Sequence, residues 1–421
     1  MLLNTALDVD VVAVEGPETV TLLVQLTAPT VGTAVEREPS TLVVVLDRSG
    51  SMGGPRLEGA KRSLLALVDR LAPTDRFGLV TFDDSVQLVV PCAPLADKAS
   101  VKAQIAAISA GGSTDLSAGY LRGLREAQRR GGAKTASTTV VLVSDGHANA
   151  GVTDPDQLGS VAAKAWGQGV TTTTLGFGLG YDETLLGALA RGGSGNELFA
   201  ETPDEAIAAM AAEVDGILDQ SVQAASLLVR MTPACHAVQL QGDLPANMTD
   251  DGLLVELGSF WSGEQRKLVL RLQVPGLAAL GLAQIAQLEL TSVELPGLVE
   301  STTTVPVHVN VVPGDQLEGR VTNDEVLTEL AFQQTQDSKR RASSLLSRGD
   351  TSGALDELHV AHSMALSGSV AHPDAAFFAD EVSTIAALIA ETRHGDVRRA
   401  AKMTSVDTAM KSRRGRGPRR P

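Results

Sequence analysis

Short apolar segments alternate with amphipathic segments of helical length between residues 41 and 220, and this alternation limits the possible fold more than any other feature of the sequence. The apolar segments are TLVVVL at 41–46, FGLVTF at 77–82, TTVVLV at 138–143 and VTTTTLGFG at 170–178. Strands that alternate with helices along a chain form a mostly parallel sheet with helices on both faces. We therefore predict an α/β domain with a doubly wound, Rossmann-like sheet.

The hydrophobic pattern changes on both sides of this region. After residue 220 apolar and polar residues alternate with a period of two, as in RKLVLRLQV, which predicts an antiparallel β-sandwich. Helical spacing returns near residue 323. The segment DVVAVEGPETVTLLVQLTAP near the start resembles two strands around a Gly-Pro turn, and a lone hairpin is marginal in water, so we expect it to join the sandwich. The predicted regions are N-terminal strands at 1–38, the α/β domain at 39–220, the β-sandwich at 221–315, a C-terminal helical region at 320–410 and a disordered basic tail at 411–421.

The charge of the chain restricts its partners. A net charge of −15 argues against nucleic acid and anionic membranes as partners of the main body. The tail SRRGRGPRRP is the exception, and it is either a solvated tail or a segment that docks on nucleic acid or an acidic surface. Its basic residues are Arg413, Arg414, Arg416, Arg419 and Arg420.

The two cysteines, Cys92 and Cys235, have no spacing typical of a disulfide framework or a zinc site. The first residues lack the basic segment and apolar run of a signal peptide, and no segment has the ~20 apolar residues of a membrane span. We therefore expect a cytoplasmic protein, and the abundance of Ala, Gly and Arg suggests a bacterial one.

Residues with oxygen-bearing side chains occur in three loops of the α/β region. Two of these loops follow predicted strands, and one precedes a predicted helix. The residues occur in DRSGS at 47–51, in GGSTD at 111–115 and in SDG at 144–146. Ligands of such sheets bind beyond the carboxyl ends of the strands, where these loops meet. Hydroxyls and carboxylates are hard ligands that suit Mg²⁺, with Mn²⁺ or Ca²⁺ as alternatives. Each loop is a weak signal by itself, but three together predict a divalent metal site.

These motifs resemble those of the von Willebrand factor type A domain, over residues of about 40 to 220. DRSGS matches the DxSxS motif of that family, GGSTDL supplies its second-loop threonine and VLVSDG its third-loop aspartate. The resemblance implies a metal-ion-dependent adhesion site, usually loaded with Mg²⁺. Its residues here would be Asp47, Ser49, Ser51, Thr114 and Asp145. The order of strands, metal-site domain, β-domain and helices is also similar to that of inter-alpha-trypsin inhibitor heavy chains.

The resemblance implies a binding protein rather than an enzyme. A divalent ion held mainly by hydroxyls keeps an exchangeable water, which a carboxylate from a protein partner can replace. We predict a metal-dependent adaptor whose partner presents an Asp or Glu. Arg48, Asp115 and His147 lie near the predicted site and are candidates for its partner-binding rim.

Two alternatives remain. In the first alternative to an adaptor, the chain is a structural scaffold whose ion only stabilises the domain. In the second, it is a metal-dependent hydrolase. A hydrolase of the haloacid dehalogenase type needs a second Asp where this chain has Ser49, and no phosphate-binding GxxxxGK[ST] motif occurs. Ser194 lies between glycines but lacks the full G-x-S-x-G pattern of serine hydrolases.

Overall fold

The chain begins with strands that belong to a later part of the fold. The computed structural model describes residues 1–30, 37–129, 137–146, 148–371 and 375–414. The first strands are β1 (Leu2–Leu7), β2 (Val11–Ala13) and β3 (Glu18–Thr27). Strands β1 and β3 pair antiparallel with each other.

A six-stranded sheet forms the centre of the α/β domain. Its strands are β4 (Thr41–Asp47), β5 (Arg76–Phe82), β6 (Val86–Pro94), β7 (Thr138–Ser144), β8 (Thr171–Phe177) and β9 (Ser194–Ala200). Their order across the sheet is β6-β5-β4-β7-β8-β9, and all neighbours are parallel except the edge pair β5 and β6. Every residue of β4 and β7 is buried, which is typical of central strands covered on both faces.

Helices cover both faces of this sheet. They are α1 (Pro55–Arg70), α2 (Lys98–Ala106), α3 (Leu116–Gln128), α4 (Pro155–Trp166), α5 (Glu183–Gly192) and α6 (Pro203–Leu218). Helices α1, α2 and α6 share one apolar core with Leu42 and Val44 of β4, whereas α3, α4 and α5 share another with Val43 and Val45. The predicted doubly wound fold class is confirmed.

Two sheets, one antiparallel and one antiparallel except for a parallel edge pair, pack face to face as a sandwich. Its later strands are β10 (Gln220–Met231), β11 (Ala237–Gln241), β12 (Ala246–Thr249), β13 (Gly252–Trp261), β14 (Gln265–Val274), β15 (Gly281–Glu294) and β16 (Val299–Val312). One sheet has the order β1-β3-β14-β11 and the other β12-β13-β10-β15-β16-β2. Strand β3 pairs with β14 along its full length, so the first strands complete a sandwich that is otherwise made after the α/β domain. Both sheets contribute buried Val and Leu to one core.

A helical bundle completes the described chain. It consists of α7 (Asp324–Ser347), α8 (Thr351–Ala371), α9 (Ala375–His394) and α10 (Val397–Arg414). Helix α10 continues through Arg414, so the prediction of disorder from residue 411 is wrong for the first four residues of the tail. The extra helical length has a physical reason, since Lys411 forms ion pairs within the bundle. Arg416, Arg419 and Arg420 lie outside the described residues. Among the helices described, none has both the length and the apolar character to cross a membrane.

Candidate metal centre

The ends of two neighbouring strands bring the first and third predicted loops together. Strands β4 and β7 are parallel, with Leu46 opposite Val143, so Asp47 and Ser144 come next to each other at the carboxyl edge of the sheet. The Ser144 hydroxyl donates to Asp47 Oδ2 at 2.6 Å, and the Ser49 N–H donates to Asp47 Oδ1 at 2.8 Å. Both carboxylate oxygens of Asp47 are thus engaged by neutral donors.

Asp47 is held in a buried position. Burial raises the pKa of the Asp47 carboxyl, and the charge of Asp145 acts in the same direction, while the hydrogen bonds from Ser144 and Ser49 oppose the rise. A buried carboxylate supported by neutral donors gains from a nearby positive charge. This environment therefore suits a cation.

The two serines of the DxSxS motif lie side by side in front of the carboxylates. The hydroxyl oxygens of Ser49 and Ser51 are 3.0 Å apart, and Ser51 Oγ donates to Asp145 Oδ1 at 2.8 Å. When its proton is donated to Asp145, the Ser51 oxygen keeps lone pairs for a ligand on its other side. Asp47, Ser49, Ser51 and Asp145 therefore form one connected cluster.

Thr114 lies on the loop that joins this cluster from the other side. Its N–H donates to Asn149 Oδ1 at 2.9 Å, and the Asn149 N–H donates to the Thr114 carbonyl at 3.1 Å. The same loop contacts the DxSxS loop, because the Gly50 N–H donates to the Gly112 carbonyl at 3.1 Å. Thr114 is buried, and backbone hydrogen bonds connect its loop to both other loops. All five predicted metal ligands thus belong to one group of loops.

The three predicted rim residues have different surroundings. Arg48 forms an ion pair with Asp83 at 3.0 Å and is half-buried. Asp115 caps α3, since its Oδ1 accepts from the Ala118 N–H at 2.9 Å and from the Ser117 hydroxyl at 2.8 Å. His147 lies outside the described residues.

Arg56 is a further charged residue at the site, and the sequence analysis missed it. It lies in the first turn of α1, and its Nη1 donates to Asp145 Oδ2 at 2.6 Å. The Asp145 side chain is completely buried, whereas the Arg56 side chain is 42% exposed. The available signal was positional: α1 follows the DxSxS loop directly, so the first residues of this helix must lie near the strand end.

The donors fit a hard divalent ion better than a soft one. Within the described part of the chain, no group of three or more His, Cys, Asp or Glu residues is placed to hold a metal. The cluster instead offers serine hydroxyls at the front and carboxylates whose oxygens are already hydrogen-bonded behind them. Such a set matches Mg²⁺, which retains water ligands and contacts few protein oxygens directly.

Comparisons with known proteins agree with this fold. Residues 41–212 match the family model of the von Willebrand factor type A domain. An uncharacterized protein of Synechocystis sp. is 28% identical over 346 residues, which cover 77% of this chain and 78% of that protein. The inter-alpha-trypsin inhibitor heavy chain H1 of Mesocricetus auratus is 29% identical over 161 residues, or 37% of this chain and 18% of the heavy chain.

A solved structure shares the whole architecture. The structure described as von Willebrand factor type A from Catenulispora acidiphila superposes with a TM-score of 0.74 at 16% identity, and covers 99% of this chain and 97% of its own. The likeness therefore extends beyond the α/β domain to the sandwich and the helical bundle. Residues 41–212 thus match the von Willebrand factor type A domain in sequence, and the chain as a whole is similar in fold to a solved structure described by that name.

Proposed function

We propose that the type A domain binds a divalent cation through Ser49, Ser51 and Thr114, with Asp47 and Asp145 behind these hydroxyls. Mg²⁺ is our first candidate, and Mn²⁺ and Ca²⁺ are the alternatives. The observation that carries the proposal is the pair of serine hydroxyls 3.0 Å apart, one of which is fixed by a completely buried carboxylate. Fixed, neutral oxygens of this kind suit a hard cation.

We further propose that the domain is an adaptor that binds a protein partner, and that it is not an enzyme. A divalent ion with hydroxyl ligands keeps enough positive charge to accept an Asp or Glu carboxylate in place of a water. Asp47 and Asp145 would act by orienting the serines, because their oxygens already accept protein hydrogen bonds. Arg48 and Asp115 border the loops and are our candidates for the partner-binding rim.

A cytoplasmic location is also part of the proposal. Cys92 and Cys235 are both buried free thiols, and unpaired cysteines are typical of reducing compartments. The net charge of −15 favours neither nucleic acid nor an anionic membrane as the partner of the main body.

The test is partner capture from a lysate with the full chain, in Mg²⁺ and in EDTA, followed by affinity measurements with the captured protein. We expect EDTA to abolish binding and Thr114→Ala to weaken it about thirtyfold, as for loss of a central charge-assisted contact. Thr153→Ala, at an exposed threonine, is the matched control. A partner that binds equally in EDTA and to Thr114→Ala would contradict the adaptor, and EDTA-induced loss of stability alone would favour the scaffold.

A further inference from the structure

The guanidinium of Arg56 already contacts two residues of the proposed metal site. Its Nη1 lies 2.6 Å from Asp145 Oδ2 and 3.3 Å from the carbonyl oxygen of Ser51. The Asp145 oxygens are therefore shared between the Ser51 hydroxyl and the Arg56 guanidinium. A permanent positive charge thus lies beside the position that a cation would take.

The surrounding chain leaves room for this guanidinium. Pro55 and Arg56 begin α1, which fixes the direction in which the arginine leaves the helix. On the opposite side Gly178 follows β8 with a φ of +75°, and a Cβ there would lie 3.4 Å from Arg56 Nη2. The loop after β8 therefore packs its backbone closely against the arginine, with no side chain between them.

The other nearby arginine is engaged elsewhere. Arg48 forms its ion pair with Asp83, at 3.0 Å, and Asp83 also accepts from the N–H and the hydroxyl of Ser85. Arg48 therefore has its own counter-ion, which lies in the turn between β5 and β6. Arg56 is the arginine whose counter-ion, Asp145, belongs to the proposed ligand set.

We propose that Arg56 is a tethered competing cation, which keeps the affinity of the site for a free divalent ion low and makes firm retention of that ion depend on an arriving anion. This inference rests on the metal site proposed above and concerns its regulation. The divalent ion and Arg56 repel each other and compete for the negative charge of Asp145. A carboxylate that arrives at the ion is attracted by both positive charges.

This arrangement couples the ion to the partner. If the anion strengthens ion binding, the ion must strengthen anion binding by the same factor. The partner class that benefits is one that presents a carboxylate. A protein group without negative charge would gain nothing from Arg56.

The first experiment titrates Mn²⁺ alone into the full chain by calorimetry. Arg56→Gln removes the competing charge, so we expect it to bind Mn²⁺ about tenfold more tightly than the wild type. Arg56→Lys keeps the charge and should remain close to the wild type. Arg62→Gln is the matched control, because Arg62 lies on the same helix but is exposed, and it should not change the affinity. Thermal unfolding in EDTA verifies that each variant is folded.

The second experiment repeats the titrations in acetate and in chloride at equal ionic strength, with acetate as the carboxylate probe. Acetate should tighten Mn²⁺ binding to the wild type and to Arg56→Lys, and should have a smaller effect on Arg56→Gln. An equal effect on all three would overturn the coupling.

The outcomes separate this inference from the proposed metal site. Unchanged or weaker Mn²⁺ binding by Arg56→Gln would overturn the role of Arg56 while the metal site stands. Absence of Mn²⁺ binding in the wild type and in every variant would contradict the metal site, and with it this inference.

Discussion

Single hydrogen bonds determine how the buried carboxylates at the strand ends are held. Asp47 and Ser144 are both fully buried, and the Ser144 hydroxyl is one of two neutral donors to Asp47. Removing one donor from a buried acceptor of this kind is costly, because water does not reach the acceptor to replace the lost hydrogen bond. Ser144 therefore supports the site without being one of its proposed ligands.

Ser144→Ala tests this role at the residue scale. We expect it to lower the free energy of unfolding by about 1–3 kcal/mol, because Asp47 Oδ2 loses its donor. Urea unfolding in EDTA measures the loss without a contribution from bound metal. Ser160→Ala is the control, because it removes an exposed hydroxyl that donates to the Asp156 carbonyl within α4. An equally large loss of unfolding free energy in this control would refute the specific role of Ser144.

The positions of the five proposed ligands were readable from the sequence, whereas the contact between Arg56 and Asp145 was not. Four of the ligands lie at or after the ends of β4 and β7 at one sheet edge, and strand order brings these four together. Thr114 lies on the loop before α3, and its place was indicated by the motif it shares with the type A domain. Arg56 is different because an arginine in the first turn of a helix carries no motif or periodic signal. Its contact with Asp145 depends on the angle at which α1 leaves the DxSxS loop, which only the three-dimensional structure supplies.

At the scale of elements, a buried ion network holds the helical bundle together. Lys339 of α7 is completely buried and contacts Glu381 of α9 at 2.6 Å and Asp407 of α10. Lys411 of α10 contacts the other oxygen of Glu381 at 2.5 Å. Three helices therefore meet at one carboxylate, and breaking a buried pair of this kind is strongly destabilising.

This network predicts that the bundle is sensitive to acid. Burial opposes ionisation of Glu381, but Lys339 and Lys411 outweigh it and lower the pKa of Glu381 from 4.5 to about 2. Because the folded pKa lies below the unfolded one, the stabilisation is complete above pH 4.5 and is lost as the pH falls toward 2. Its size is of the order of 3 kcal/mol.

Glu381→Gln tests the pH dependence. Hydrogen exchange of the bundle amides, measured in the full chain, should show a variant less stable than the wild type near neutral pH. The difference should shrink between pH 4.5 and 2, as the wild-type carboxylate takes up its proton. A difference that is constant over this range would contradict the assigned pKa.

The hydrophobic pattern predicted the helices and strands well, but it predicted their boundaries less well. The strand TLVVVL follows from a short, continuous apolar run within the alternating pattern. Apolar residues recur at helical spacing in VLTELAFQQT and again in RRASSLLSRG, and α7 is continuous through both. Polar residues between the two apolar runs, such as Lys339, are buried against partners on distant helices, and no local pattern indicates such pairing.

In the molecule as a whole, helix α10 attaches the bundle to the α/β domain. Lys402 is almost fully buried, and its ammonium group donates to the Tyr181 carbonyl at 2.7 Å and to Glu183 at 2.5 Å. The same ammonium group lies 4.1 Å from the centre of the Tyr181 ring. Tyr181 lies on the loop that follows β8 and contains Gly178, and Glu183 begins α5 directly after this loop. The bundle is therefore anchored near the edge of the sheet that carries the proposed metal site.

Lys402→Met should loosen this attachment. The substitution removes the cation that pairs with the Glu183 carboxylate. Breaking such an ion pair costs about 3 kcal/mol or more of unfolding free energy. We expect faster hydrogen exchange in α10 and α5, with little change in β7. Lys164→Met, at an exposed lysine of α4, is the matched control. Unchanged exchange in α10 would show that Lys402 is not the anchor.

Calorimetric titration of Mg²⁺ into the full chain tests whether the hydroxyls of the DxSxS loop hold a divalent ion. The wild type is compared with the double variant Ser49→Ala, Ser51→Ala, which removes two proposed ligands and keeps both carboxylates. We expect one bound ion for the wild type and binding weakened by about tenfold or more in the variant. Equal binding by both proteins, or no binding by the wild type, would contradict this expectation.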